Sequence, residues 1–149
     1  MLRDDINSAL KEAMKAGQAR RVSTLRLINA AILERETKGA ERVTLSDAEI
    51  VDVMGKMVKQ RQESLGIYEK AGRAELAAQE REEIAIISGY LPKQMSDLEA
   101  AHAISALIKE IEAETLKDMG RTMAALKQRF AGRMDFARAG ALVKKLLGG

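Results

Sequence analysis

Two stretches of this 149-residue chain concentrate side chains that could do chemistry. In "RQESLGIYEKAGRAELAAQEREE", helical spacing sets Arg61, Ser64 and Tyr68 on one side of one segment and Glu80 and Glu83 on one side of the next, with Arg73 between them. These polar groups stand where an apolar stripe should continue. A carboxylate in such a low-dielectric seam can exchange protons near neutrality while Arg61 or Arg73 holds an anionic group. The same residues can instead form an ion pair between packed helices, with Arg61 held by Glu80 or Glu83 and the Tyr68 hydroxyl closing the set. Paired charges between helices outnumber catalytic pairs, so the structural arrangement is the expected one and no catalytic residue is assigned.

The second stretch differs in kind. Residues 116–149 carry 8 Lys/Arg against 2 Asp/Glu. Lys117, Arg121, Lys127, Arg129, Arg133, Arg138, Lys144 and Lys145 crowd this segment, and Gly120 and Gly132 offer positions where backbone can approach a ligand closely. Such a surface suits phosphates, which are bound with release of counterions and without reading bases. Stacking platforms are scarce, because Phe130 and Phe136 are expected in the core, so contact would follow shape and backbone rather than sequence. The competing reading is a solvated face that aids solubility.

Other chemistries are narrowed by what is missing. With no cysteine there is no disulfide, no thiolate nucleophile and no cysteine-based zinc site. The single histidine, His102, sits beside Ala101 and Ala103 with only Glu99 as a local partner and is expected at the surface or its boundary. No phosphate-binding loop, dinucleotide fingerprint or H-E-x-x-H motif occurs, so neither metal nor cofactor is expected. No apolar run reaches membrane-spanning or signal-peptide length, which points to a soluble, cytoplasmic protein with no membrane partner.

Positioning these groups falls to helices. Leu2, Ile6, Leu10 and Met14 recur every four residues up to Gly17; Val22, Leu25, Ile28 and Ile32 mark a second stripe. Ser46 and Glu49 have capping-box spacing ahead of a long helix through Ile50, Met54, Met57, Val58, Leu65 and Tyr68, and Leu76, Ile84 and Ile87 mark a fourth. Pro92, the only proline, then stops the chain and is expected to force Tyr90 and Leu91 extended. Ser96 and Glu99 repeat the capping box before a stripe of Leu98, Ala101, Ile104, Ile108 and Ile111. Thr115 opens a helix carrying Met119, Met123, Leu126 and Phe130 to Gly132, and Asp135 caps a last one with Phe136, Ala139, Val143 and Leu146 in line. The methionines at 54, 57, 119 and 123 are read as core fillers.

The predicted fold is all-α: a four-helix amino-terminal domain over residues 1–92 and a three-helix basic domain over 93–149. Charge follows the division. Residues 1–92 balance 15 Lys/Arg with 15 Asp/Glu, while residues 93–115 carry 2 against 5 and the remainder is basic.

The ordered set "LRLINAAI", "RQESLGIYEKAGRAELAAQEREE", "SGYLPKQMS", "DMGRTMAALKQRFAGRMD" and "VKKLLGG" resembles the GatB/YqeY family over essentially the whole chain. Matching positions include Arg61, Ser64, Tyr68, Gly72, Arg73, Glu80, Glu83, Leu91, Pro92, Gly120, Met123, Gly132 and Asp135; Arg121 stands where the family often has lysine. The resemblance implies kinship with the tail of the B subunit of the tRNA-dependent amidotransferase, understood to engage the outer corner of tRNA while chemistry happens elsewhere. It implies tRNA as partner, and the basic block then offers Lys117, Gly120, Arg121, Lys127, Arg129, Gly132 and Arg133 as the expected contacts, with an aminoacyl-tRNA synthetase or amidotransferase as a further candidate partner. The chain lacks the kinase-like module of the B subunit and the amidase signature of the A subunit, so catalysis by the isolated chain is not expected. The alternatives are a helper with carbon–nitrogen ligase activity using glutamine as amido-N donor, built on Arg61, Glu80 and Glu83, and a protein-interaction module that never touches RNA.

Overall fold

Helix-forming residues fill the chain between a few hard stops, and the computed structural model, which describes residues 1–148, is helical throughout with no strand among them. Seven α-helices occur: α1 (Leu2–Ala16), α2 (Ala19–Thr37), α3 (Asp47–Lys70), α4 (Ala74–Ser88), α5 (Asp97–Glu110), α6 (Met119–Arg129) and α7 (Phe136–Gly148). A 3₁₀ turn, Leu116–Asp118, leads into α6. The chain divides into two compact units, Met1–Leu91 and Pro92–Gly149.

In the first unit, α1 ends at Gly17, whose φ of 69° returns the Gly17 and Gln18 amides to the carbonyls of Met14 and Ala13. The turn folds α2 back onto α1. Ile6, Leu25, Ile28, Ile32, Leu45, Ile50, Met54 and Ile87 form the core, each large apolar side chain contributing about 1.5–3 kcal/mol by leaving water. Met14 is not part of it: it lies 53% exposed, and Ala13 takes the buried position instead. Between α2 and α3 the loop is pinned by a residue with no apolar signature. Glu36, 3% exposed, accepts the Leu45 amide at 2.9 Å and pairs with Arg3, and its carboxyl is held below the usual range, first by that amide and then by Arg3.

Both partners of the predicted capping box at Ser46 and Glu49 are in place, and so are those at Ser96 and Glu99. At the end of α4 the expected extension of Tyr90 does not occur. The Tyr90 and Leu91 amides still reach back to Ile87 and Ser88, because a terminal turn satisfies them before Pro92 removes the next donor. The Tyr90 hydroxyl accepts from Arg21 at 2.7 Å.

In the second unit Ile104, Leu107, Ala113, Leu126, Ala139, Val143 and Leu147 are the buried core, with Met119, Met123, Phe130 and Phe136 packed against it. Two stripes are rotated from expectation. Leu98 is 70% exposed and Leu107 is buried; Leu146 is 46% exposed while Leu147 faces inward. The expected single helix from Thr115 to Gly132 is instead the 3₁₀ turn plus α6, which ends at Arg129. Asp135 caps α7 by accepting the Ala137 amide at 2.9 Å.

Candidate nucleic-acid interface

The polar seam lies between α3 and α4, within the first unit. Arg61 Nε donates to Glu83 Oε2 at 3.0 Å and its Nη1 to the Met57 carbonyl at 3.2 Å; the two side chains are 14% and 8% exposed. Gln79 Nε2 donates to the other oxygen of Glu83 at 3.3 Å. One turn before Glu83, Glu80 has a buried Oε2 with no hydrogen-bond partner. Its carboxyl is pushed up by loss of solvent and by the charge of Glu83, against an opposing pull from Arg61. Arg61, Glu80 and Glu83 therefore come together as an interhelical pair with one surplus carboxylate.

Three other predicted members stand outside this network. Ser64 and Tyr68 are half-buried on α3, yet neither hydroxyl bonds to the pair: the expected Tyr68 closure is replaced by Gln79 from α4. Arg73 is exposed at the start of α4, where its amide returns to the Tyr68 carbonyl at 2.9 Å to end α3. Gly72 supports that ending with a φ of 71°.

The basic block separates by residue type. Arg121 braces the link between α5 and α6, with Nε on Asp118 at 3.1 Å, Nη1 on the Ile111 carbonyl at 2.7 Å and Nη2 on the Glu112 carbonyl at 3.3 Å. Asp118 in turn accepts the amides of Glu114 and Thr115, which with Arg121 bring its pKa down to about 2. This network holds Glu112 in the left-handed region at φ 55°, the only non-glycine residue among those described with positive φ.

Arg129 makes a two-pronged pair with Glu110, which raises the arginine's pKa and lowers the glutamate's. Arg133 donates Nε to the Lys93 carbonyl at 3.1 Å and lies over the Phe130 ring, 6.0 Å from its centroid. The Met95 amide meets the Arg133 carbonyl at 2.8 Å and the Gln94 amide nitrogen bonds the Gly132 carbonyl. These contacts clip the start of the second unit to the turn after α6, where Gly132 has a φ of 72°. Gly120, by contrast, is exposed, with open space where a Cβ would project.

Lysines are left with the free charge. Lys117, Lys127, Lys144 and Lys145 are all exposed and form no ion pair among the described residues. His102 is exposed on α5. Among the described residues no group of three or more acidic or histidine side chains could hold a metal ion, and no helix is long and apolar enough to cross a membrane.

Compared with known families, residues 3–147 match the model for YqeY-like proteins. The chain belongs to the YqeY-like family. It is thereby a module of the type found as the tail of the amidotransferase B subunit. An uncharacterized protein of Schizosaccharomyces pombe is 30% identical over 93 residues, covering 62% of this chain and 74% of that protein.

Within this YqeY-like chain, the "DMGR" stretch has a physical explanation: Asp118 gathers the amides before it while Arg121 reaches back to the end of α5. Lys144 and Lys145 belong to the basic block but not to the expected contact residues; no Asp or Glu follows Asp135, so neither lysine has an acidic neighbour along its own helix.

Proposed function

We propose that this YqeY-like chain is an accessory module that binds folded tRNA through its basic carboxy-terminal unit, with the amino-terminal helices serving as a platform or as a surface for a synthetase or amidotransferase partner. The observation that carries the reading is the set of exposed, unpaired lysines at 117, 127, 144 and 145, in a segment with a net excess of six positive charges. Ammonium groups of this kind attract phosphates over a distance and hold them as mobile point charges. Family membership supports the choice of tRNA over other polyanions. The interhelical pair of Arg61 and Glu83 is bracing rather than machinery on this reading, and amide chemistry belongs to larger relatives.

The test is fluorescence anisotropy of a labelled, folded tRNA titrated at several salt concentrations against an unstructured RNA of equal length. Folded tRNA should compete better, and log affinity should fall linearly with log salt. Equal weak binding of both RNAs, or none, refutes the reading and leaves the charge as a solvated face.

A further inference from the structure

Not every cation in the basic unit is equally available to a ligand. Arg121, Arg129 and Arg133 each hold protein atoms, and Arg138 lies 3.4 Å from Asp97. Each of these guanidiniums thus has part of its donor set already engaged by the protein, Arg121 through three nitrogens and Arg133 through Nε. The unpaired lysines are not so engaged; two of the four line one place, and a third follows one of its lining residues in the chain.

That place is where the 3₁₀ turn meets the end of α7. Leu116 packs so closely on Gly148 that a Cβ there would lie 3.4 Å from Leu116 Cδ2. Beside this contact is an open groove of about 450 Å³ lined by Leu116, Ala141, Lys144, Lys145 and Gly148. Lys117 follows Leu116 directly and is exposed, so chain connectivity sets it at the edge of the same depression.

We infer that this lysine-edged groove is the phosphate-reading element of the basic unit: Lys144 and Lys145 on one side and Lys117 on the other take consecutive phosphates of a folded RNA strand, with a sugar face against Leu116 and Ala141. The inference rests on the RNA-binding reading above and narrows it from an eight-residue block to three side chains. The groove's lining favours a nucleic-acid strand over a lipid surface. Two lysines, an alanine and a glycine share it with a single large apolar side chain, Leu116, whereas binding in a bilayer interface relies on a continuous apolar face carrying several large side chains.

The experiment compares the intact chain with the triple variant K117Q/K144Q/K145Q and with the charge-matched control K11Q/K15Q/K38Q, whose lysines are exposed in the first unit. All three are titrated with the same folded tRNA over a range of salt, and with vesicles of phosphatidylcholine and phosphatidylserine; far-UV circular dichroism checks helicity. The groove variant should bind tRNA about 30- to 100-fold more weakly near physiological salt, with a log–log salt slope shallower by about 2 to 3, while the control stays within about threefold of the intact chain. If the intact chain binds tRNA and the groove variant stays within about threefold of it, the groove assignment falls and the RNA reading survives. If the intact chain does not bind tRNA, both fall. Binding to the vesicles alone, lost in the groove variant, would overturn the inference in favour of a lipid headgroup site.

Discussion

The seam between α3 and α4 makes an asymmetric prediction about which half of an ion pair matters more. Arg61 is a cation bonded within it, against two carboxylates, Glu83 at 3.0 Å and Glu80 with an unpartnered buried oxygen. Removing a partner from a buried pair costs about 3–5 kcal/mol when the remaining charge is left unpaired. Arg61→Met creates that situation: Glu83 loses its cation, and Glu80 loses the only group that pulls its pKa down. With both side chains mostly buried but not sealed, the lower end applies, about 3 kcal/mol. Glu83→Gln differs, because its amide oxygen can still accept from Arg61 and the charge of Arg61 remains matched by Glu80. The loss is then close to that of one charge-assisted hydrogen bond weakened to a neutral one, about 1 kcal/mol.

Urea unfolding followed by far-UV circular dichroism, fitted with separate transitions if the two units unfold separately, measures the difference. The pH dependence supplies a second check. Glu80 has a folded pKa above its unfolded value, so the folded form holds the proton more tightly; that stabilisation is complete below the unfolded pKa and is lost as pH rises through the folded one. In Arg61→Met the window should extend to higher pH, and the deficit relative to the parent should shrink on acidification. Equal losses for the two variants, or a deficit that grows as pH falls, would refute the seam as a two-carboxylate site balanced by one arginine.

Other consequences are more local. Asp118, with its pKa lowered to about 2, contributes stability that is present above the ordinary aspartate value and lost as pH falls toward 2; Asp118→Asn should flatten that acid limb, as read by acid unfolding or a carboxyl titration by NMR. Glu112→Gly should stabilise the second unit by about 0.5–1 kcal/mol in thermal unfolding, because glycine removes the penalty of the left-handed conformation at φ 55°. Arg129→Glu should lower the unfolding midpoint more than Arg129→Gln does, since it faces Glu110 with a like charge, and any loss of RNA binding by that variant must be judged against its stability. Glu80→Gln should raise stability near neutral pH and have little effect in acid; stability unchanged across that range would show that Glu80 carries no ionisation penalty.

Helix content and most helix starts were legible because they are written locally: a serine followed three residues later by glutamate, or a glycine after a periodic stripe. Which residue of a stripe is buried depends on what covers it. Met14, Leu98 and Leu146 satisfy a three- or four-residue spacing, yet they stay exposed, and Ala13, Leu107 and Leu147 take the inward positions. Buried polar residues escaped for a related reason. Thr24 and Thr122 return their hydroxyls to carbonyls four residues back, at 2.8 Å in both cases, so they enter the core without a partner that composition could reveal. The Arg61 pair was legible because both helices carried polar groups on an apolar side, whereas nothing along the chain singled out Gln79, and Tyr68 looked a better closure than it is.

The basic block shows why counting charge overstates a binding surface. Guanidinium is a planar fork with five donors, suited to holding several protein atoms at once, and Arg121 uses three of its nitrogens on three separate acceptors. One of those acceptors, the Glu112 carbonyl, belongs to a residue whose backbone is strained without such support. Arg129 spans 19 residues of sequence to reach Glu110, and Arg133 spans 40 to reach a backbone carbonyl. No count along the chain identifies a carbonyl as a partner. Lysine, a hydrated point charge on a flexible stem, is the weaker brace and the more available phosphate ligand. Arginines therefore hold the small unit together and lysines carry its external charge, so variants at the two residue types should separate loss of stability from loss of binding.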